Sequence, residues 1–360
     1  MRRGGKIGAG VAIAVAAVAA ALWFVPAVQD RVVGLAIDRL IPLRAGEVFG
    51  DDALRVAFCG TASPLPHPTR ARPCTAVFAG GRFVVVDLGP GSWNRFASWR
   101  LDAARIDAVL LTHFHSDHIG ELGEWNLQTW VAGRPDPLVV IGPPGVDRVV
   151  AGFAEAYAQD TAYRIAHHGP ELLSPDAGRM QARAVAGPAE GEGPATAWER
   201  DGLRVTAFAV DHAPVSPAYG YRFDYRGRSV VVSGDTVKTA SLVDAARGAD
   251  VLVHEAQANH LLGQMREAAE RAGRPRVAKI LHDIVSYHTS PVDAARAANE
   301  AGVGLLVLTH LTPPPPNALV ERVFVRGVED VRPGGWLVAD DGVLVELPVG
   351  GDAIRVGRID

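Results

Sequence analysis

Short apolar runs bounded by turn residues recur from about residue 53 onwards, and segments whose apolar residues repeat at helical spacing lie between them. Runs of this length are typical of buried strands. The alternation of the two patterns predicts an α/β fold. The predicted strands are residues 55–59, 75–78, 83–86, 108–111, 138–141, 205–210, 229–232, 251–253 and 305–308, with a closing hairpin over 336–347.

Helical spacing of apolar residues also places the helices. The helix with the clearest ends has Ser290 as its N-cap, Pro291 at its first position and Gly302 as its stop, which are the residues favoured at those places. The predicted helices are residues 146–157, 240–246, 261–272 and 292–301.

One interruption of the strand pattern lies between about residues 142 and 201. It contains a helix, the pair His167–His168 and a stretch rich in Gly and Pro, residues 186–194. We expect an insert here that covers one edge of the site, with a mobile Gly/Pro loop and the two histidines as a candidate substrate wall.

The N-terminus carries a separate signal. A basic leader, residues 1–6, precedes an uncharged apolar stretch over 7–29, which exceeds the ~20 residues that span a bilayer. Because basic residues stay on the cytoplasmic side, we expect an anchor in the bacterial inner membrane with the following domain in the periplasm. A cleaved signal peptide, which would give a periplasmic or secreted protein, is the alternative.

The resulting domain organisation has three parts. Residues 1–29 form the anchor or signal peptide, 30–52 an amphipathic connector and 53–360 a hydrolase domain that includes the insert. With 360 residues and 48% hydrophobic composition, the chain can bury a large core.

Charge argues against a polyanionic partner. The net charge is −4, and residues 145–205 hold six Arg and no Lys against nine acidic residues. Because nucleic-acid affinity depends mostly on neutralising phosphates, we expect nucleic acid to be an unlikely partner.

Two cysteines, Cys59 and Cys74, flank the first predicted strand pair. The sequence is compatible with a disulfide between them and equally with two buried thiols.

The strongest chemical signal is a cluster of metal-ligand side chains directly after the strand 108–111. His113, His115, Asp117 and His118 fall within six residues. Neutral imidazoles and a carboxylate at this density favour zinc or iron. The cluster therefore predicts a metalloenzyme.

Further polar residues directly follow predicted strands, where they can meet at one edge of a sheet. They are Asp87, His212, Asp235, His254 and His310. Each alone is as readily a turn carboxylate or a loop histidine, but together they point to the same rim as the main cluster.

With these residues in place, the sequence resembles the metallo-β-lactamase superfamily over about residues 55–345. Within it, the chain is similar to the branch of ribonuclease Z and related exported arylsulfatase-like and phosphodiesterase-like hydrolases. The resemblance implies an αββα sandwich, in which helices flank two mixed β-sheets. It rests on residues 60–64, 86–91, 112–118, 211–212, 233–236, 254–256 and 309–310.

The resemblance also implies two zinc ions, with Mn²⁺ or iron as alternatives. Asp87 would orient the ligand loop without binding metal. The implied ligands are His113, His115 and His212 for one ion, Asp117, His118 and His310 for the other, and Asp235 as the bridge.

A bridging hydroxide would be the nucleophile, and Asp117 counts among the catalytic residues as well as the ligands. By the same likeness, His288 would be the general acid, oriented by Glu255. The alternative is a purely structural Glu–His hydrogen bond. The chain departs from ribonuclease Z at Gln257, where that family has Thr, and in the order Thr289–Ser290.

These observations favour an exported dinuclear zinc hydrolase of small anionic esters, arylsulfatase-like or phosphodiesterase-like, attached to the membrane. A ribonuclease Z-type endonuclease that processes tRNA 3′ ends is the second hypothesis, since an exported acidic protein would not meet tRNA. A noncatalytic zinc-binding membrane protein is the third. The oligomeric state stays open, with a homodimer as one option. Residues 213–222 and 313–316 are expected as pocket edges or plain turns.

Overall fold

The chain divides into two structural units, Met1–Ala45 and Gly46–Asp360. The computed structural model describes residues 4–44, 46–188 and 193–359. The predicted mobile loop therefore lies partly outside the described residues.

The first unit contains helices α1 (Gly4–Phe24) and α2 (Pro26–Leu40). Among the described residues, no single helix has both the length and the apolar character needed to cross a membrane. Sufficient length and apolar character are reached only by two helical segments taken together, Ala14–Phe24 and Pro26–Leu40, and these meet at a bend of 83°. The predicted transmembrane segment is therefore not supported by the structure, and the location of the protein stays a prediction.

The second unit alternates strands and helices. Its strands are β1 (Ala53–Gly60), β2 (Cys74–Ala79), β3 (Arg82–Val86), β4 (Ala108–Leu110), β5 (Leu138–Gly142), β6 (Met180–Ala184), β7 (Ala195–Arg200), β8 (Leu203–His212), β9 (Val215–Tyr225), β10 (Arg228–Val232), β11 (Val251–Gln257), β12 (Leu305–Thr312), β13 (Trp336–Val338), β14 (Val343–Pro348) and β15 (Arg355–Arg358). Its helices are α3 (Ser92–Ser98), α4 (Ser116–Ile119), α5 (Leu122–Val131), α6 (Val146–His168), α7 (Ala240–Ala246), α8 (Asn259–Arg271), α9 (Pro275–Asp283), α10 (Pro291–Ala301), α11 (Ala318–Phe324) and α12 (Val328–Val331).

These strands form two mixed sheets. Within the described residues, one sheet has the order β15-β14-β1-β2-β3-β4-β5-β6 and the other β13-β12-β11-β10-β9-β8-β7. β3 to β6 run parallel, as do β10 to β13, while the remaining pairs are antiparallel. The predicted α/β fold of two mixed sheets with helices is confirmed.

The core has three apolar layers, because successive side chains of a strand face opposite sides. Between the sheets, Val56 and Phe58 of β1 belong to the same buried cluster as Phe223 and Val253 of the other sheet. Phe83 and Trp125 belong to the layer outside the first sheet. Leu252 and Leu306 belong to the layer outside the second sheet, together with alanines of α10. The sandwich leaves the strand ends free to carry the site.

Some predicted elements differ from the structure. The insert predicted over 142–201 supplies an edge strand to each sheet, β6 and β7, with half-exposed residues that lack an apolar run. The predicted closing hairpin does not form, since β13 pairs with β12 and β14 pairs with β1. Most of the segment 213–222, expected as pocket edge or turn, belongs to strand β9.

Other local predictions hold. The Ser290 hydroxyl accepts a hydrogen bond from the Asp293 amide at the start of α10, and Gly302 ends that helix with φ +69°. β1 and β2 pair antiparallel, and the two cysteines beside them, Cys59 and Cys74, form a disulfide.

Candidate metal centre and active site

The site lies at strand ends shared by both sheets. The loop after β4 and the helix α4 that follows it carry the histidine cluster, while the ends of β8, β10 and β12 carry His212, Asp235 and His310. Gly234 allows the chain to turn before Asp235: its φ is +63°, and a Cβ there would lie 2.6 Å from the Tyr219 carbonyl oxygen. His310 has φ +45° at a β-bulge between β11 and β12, which redirects its side chain.

The structure brings together all seven residues that the sequence assigned to metal binding. Ligand atoms within each of two groups lie within 4.8 Å of one another. Asp235 Oδ2 is 3.3 Å from His118 Nε2, 3.2 Å from His310 Nε2 and 3.9 Å from His113 Nε2. This carboxylate therefore lies between the groups. The two groups are His113, His115, His212 and Asp235, and Asp117, His118 and His310; a third set with the same spacing is Asp235, His288 and His310.

The donor atoms fit divalent cations. Asp117 Oδ2, His118 Nε2, Asp235 Oδ1 and both ring nitrogens of His310 are buried and have no hydrogen-bond partner among the described residues. Buried polar atoms without a partner are costly in a native protein. Because these atoms converge and belong to zinc-type ligands, a pair of divalent ions would satisfy them.

Neighbouring groups orient the ligands. Asp87 Oδ2 lies 2.7 Å from His118 Nδ1 and accepts from the Thr112 hydroxyl at 2.8 Å, while its Oδ1 accepts from the Thr112 amide at 2.9 Å. His212 Nδ1 donates to the Tyr287 carbonyl at 3.0 Å. Such contacts fix the tautomer that leaves Nε2 free for metal. Asp87 is buried and has φ +57°, an unfavourable conformation that the three hydrogen bonds hold in place.

The electrostatics of the site also suit metal binding. Burial lowers the pKa of His113, and the charge of His118 lowers it further. Burial likewise lowers the pKa of His115 and of His212, against the attraction of Asp235. Burial would raise the pKa of Asp235, but His310 and His118 hold it well below its ordinary value. Neutral imidazoles and an ionised carboxylate are the metal-binding forms. A bound ion would therefore displace protons from His118 and His310, whose pKa values Asp235 raises against the effect of burial.

Glu255 and His288 form the predicted dyad. His288 Nδ1 lies 2.8 Å from Glu255 Oε1, which also accepts from the amides of Thr289 and Thr236. Burial opposes the charged imidazole, but the charge and hydrogen bond of Glu255 outweigh it and raise the pKa of His288 to about 9. One ring nitrogen of His288 lies within 4.8 Å of ligand atoms of Asp235 and His310.

Not every strand-end residue joins the site. His254 is fully buried, its Nδ1 lies 2.7 Å from the Glu255 carbonyl oxygen, and it belongs to none of the metal-ligand groups of the described residues. Strand alternation explains this, because neighbouring residues of β11 face opposite sides.

Sequence reasoning missed Tyr287, whose ring centroid is 4.7 Å from those of His212 and His288. Its position directly before His288 was the available signal.

Comparison with known proteins identifies the family. Residues 82–311 match the family described as β-lactamase superfamily domain. The ribonuclease Z of Mycobacterium bovis is 42% identical over 263 residues, which cover 72% of this chain and 86% of that protein. The ribonuclease Z of Mycolicibacterium paratuberculosis is 40% identical over the same shares of the two chains.

Solved structures share the fold. Human tRNase Z, short form, has a TM-score of 0.58 and 21% identity, covering 82% of this chain and all of that one. A diphosphatase of the PhnP family has a TM-score of 0.55 and 18% identity, covering 82% of this chain and 98% of that one.

These relatives overturn two predictions. The exported arylsulfatase-like hydrolase of small esters is wrong, because proteins with 40–42% identity are named ribonuclease Z. The expectation that nucleic acid is an unlikely partner is wrong for the same reason. Both predictions rested on the net charge of the whole chain and on the expected export. Neither of these describes the surface beside the metal-ligand groups. From the family match, these identities and the shared fold, the chain belongs to the β-lactamase superfamily, as a hydrolase related to ribonuclease Z.

Proposed function

We propose that this protein is a ribonuclease Z-type endonuclease that hydrolyses a phosphodiester bond at the 3′ side of precursor tRNA. The observation that carries the proposal is the 42% identity, over 86% of its length, to a protein named ribonuclease Z. The arrangement of His288 and Glu255 beside the metal-ligand groups supports the same chemistry.

Hydrolysis adds the oxygen of water to phosphorus and breaks one P–O ester bond, and the departing oxygen needs a proton. Two divalent zinc-type ions, held by the seven ligands, would supply an activated water and offset the phosphate charge. Two such ions would bring four positive charges, and Asp117, Asp235 and one hydroxide would offset three of them. The centre would therefore keep a net charge of about +1, which suits an anionic strand.

His288 is placed to protonate the leaving oxygen. Its Nδ1 is occupied by Glu255 at 2.8 Å, so Nε2 is the nitrogen free to deliver a proton to substrate. Glu255 raises the pKa of His288 against burial, to about 9 in the metal-free site, which favours the protonated imidazole that a general acid needs. Glu255 is thereby a positioning residue, because three hydrogen bonds fix its Oε1.

The surface beside this dyad is less acidic than the chain as a whole. Residues 259–283, which form α8 and α9, hold five basic residues against three acidic ones. Arg274 and Arg276 are exposed and have no ion-pair partner among the described residues. A phosphate backbone can therefore approach from this side.

The test is cleavage of an end-labelled precursor tRNA by the purified, zinc-loaded full chain. We expect one cut at the 3′ boundary of the tRNA, and His288→Ala should slow it by about 10²–10⁴-fold, the usual contribution of a general acid. His260→Ala is the matched control, because this histidine is exposed on α8, contacts the Val323 carbonyl oxygen and lies outside the metal-ligand groups.

Failure has a clear signature. Hydrolysis of an aryl sulfate or an aryl phosphodiester with intact precursor tRNA would contradict the proposal. Equal rates for wild type and His288→Ala would remove this histidine from the mechanism.

A further inference from the structure

A cavity of about 710 Å³ lies beside the candidate active site, between α8, α9 and the segment that leads to His288. Tyr287 and Ala213 line it, and they directly neighbour the site residues His288 and His212. The ring of Tyr287 lies 4.7 Å from both of those histidine rings. The cavity therefore adjoins the residues that flank His288 and His212.

Its walls combine apolar surface with a few polar groups, the composition of small-ligand pockets. Leu262, Leu281 and Val285 supply apolar surface, and Asn259 and Arg266 bring polar groups. A volume of this order holds one nucleoside. The face of an aromatic ring is also the usual platform for a base that is not paired in a helix.

A buried glutamine holds two walls of the cavity together. Gln257 Nε2 donates to Asn259 Oδ1 and to the Ile284 carbonyl, both at 2.9 Å. The first bond ties the end of β11 to the start of α8, and the second ties it to the segment before Tyr287. Because Asn259 Oδ1 is used as an acceptor, its amide NH₂ is the group left to donate to a ligand.

We propose that this cavity binds the base of the nucleotide that carries the leaving oxygen, stacked on Tyr287. The inference rests on the proposed function, because it assigns a subsite for the same RNA. It follows from adjacency: His288 protonates the leaving oxygen, so the nucleoside attached to that oxygen lies next to Tyr287. Arg266 lies at the same wall. Its Nε is buried without a hydrogen bond to a described residue and is 3.9 Å from the Glu270 carboxylate, so the guanidinium keeps donors for a neighbouring phosphate.

Gly263 allows the cavity to be filled without disturbing the ligands. It lines the cavity from α8, and a Cβ built there meets no atom within 4 Å. We therefore choose Gly263→Trp, since a side chain in place of a helical glycine does not cost helix propensity. Gly152→Trp is the matched control: Gly152 lies on exposed α6, and its Cβ position is equally open.

The experiment compares two precursor RNAs, one natural and one with an abasic ribose at the nucleotide that carries the leaving oxygen. Loss of a stacked base should lower kcat/KM of the wild type about tenfold or more. Gly263→Trp should cleave the natural RNA about tenfold or more slowly than wild type, and removal of the base should cost it little more. Gly152→Trp should respond to base removal as the wild type does.

Two results would overturn the subsite. One is a wild type that cleaves both RNAs equally, and the other is a Gly263→Trp variant as sensitive to base removal as Gly152→Trp. Tyr287→Phe keeps the aromatic ring and should still lose rate when the base is removed from the RNA, whereas Tyr287→Leu should not. If wild-type protein with bound zinc cleaves neither RNA, the proposed function itself fails, which is a different outcome from loss of the subsite alone.

Discussion

Asp87→Asn tests how the ligand loop is held. In the wild type, Asp87 Oδ2 accepts from the Thr112 hydroxyl and from His118 Nδ1, while Oδ1 accepts from the Thr112 amide. The asparagine has nearly the same shape and keeps one oxygen for the amide. Its NH₂ group, a donor, then faces the Thr112 hydroxyl and the His118 N–H, which are donors too, so neither of these two hydrogen bonds can form as it does in the wild type.

The size of the effect follows from these contacts. Hydrogen bonds to a charged acceptor contribute about 1.5–3 kcal/mol each, but the Thr112 hydroxyl can rotate and His118 can move its proton to Nε2. We therefore expect unfolding of the metal-free protein to cost about 1–3 kcal/mol less than in wild type. The proton on Nε2 blocks the nitrogen that faces Asp235, so zinc affinity should fall about 10–100-fold.

Zinc affinity is measured by competition with a chromophoric chelator, and stability by denaturant unfolding in excess chelator. Asp107→Asn is the matched control, because Asp107 is also nearly buried and accepts from the Phe83 amide at 2.9 Å and from Arg82 at 3.0 Å, away from the metal-ligand groups. It should lose stability but keep its zinc affinity. An Asp87→Asn protein that binds zinc as tightly as wild type would refute the reasoning.

Three further predictions use other parts of the chain. Burial lowers the pKa of His288, but Glu255 outweighs it and raises that pKa to about 9 in the metal-free site, from an ordinary 6.5; bound cations lower it again. His288 loses its acid proton as the pH rises through this pKa, so cleavage should decline at alkaline pH. Glu255→Gln should move that decline about one to three pH units lower, and an unchanged kcat–pH profile would contradict this. The double variant Arg274→Gln/Arg276→Gln should weaken RNA binding and reduce the salt slope of log Kd by about two, whereas an unchanged slope would exclude phosphate contacts at these residues. A reporter fused after Asp30 tests the location: action on precursor tRNA requires this domain to be in the cytoplasm, so reporter activity only in the periplasm would contradict tRNA as the substrate.

The grouping of the candidate ligands could be predicted because its signal is local. Four ligand side chains within six residues after β4 are rare, and His212, Asp235 and His310 each follow an apolar strand. Parallel strands bring such residues to one edge. His254 shows the limit of this argument: it follows an apolar run equally well, but strand alternation turns it away from the site.

Other features were not readable from the sequence because they depend on contacts between distant segments. β6 and β7 lie at sheet edges, where half-exposed residues give no apolar run. β9 contains Pro217, which resembled a turn signal, but this strand pairs with β8 and β10. The substrate was mispredicted because net charge averages over the whole surface, whereas binding depends on the few side chains beside the site, such as those of α8 and α9.

The most direct test of the account is a zinc titration of cleavage. Metal-free full-length protein is mixed with labelled precursor tRNA, and the initial rate is followed as zinc is added. The account predicts no cleavage without metal and a rate that rises until two equivalents per chain are bound. Full cleavage by rigorously metal-free protein would contradict it, and so would precursor tRNA that stays uncut at saturating zinc.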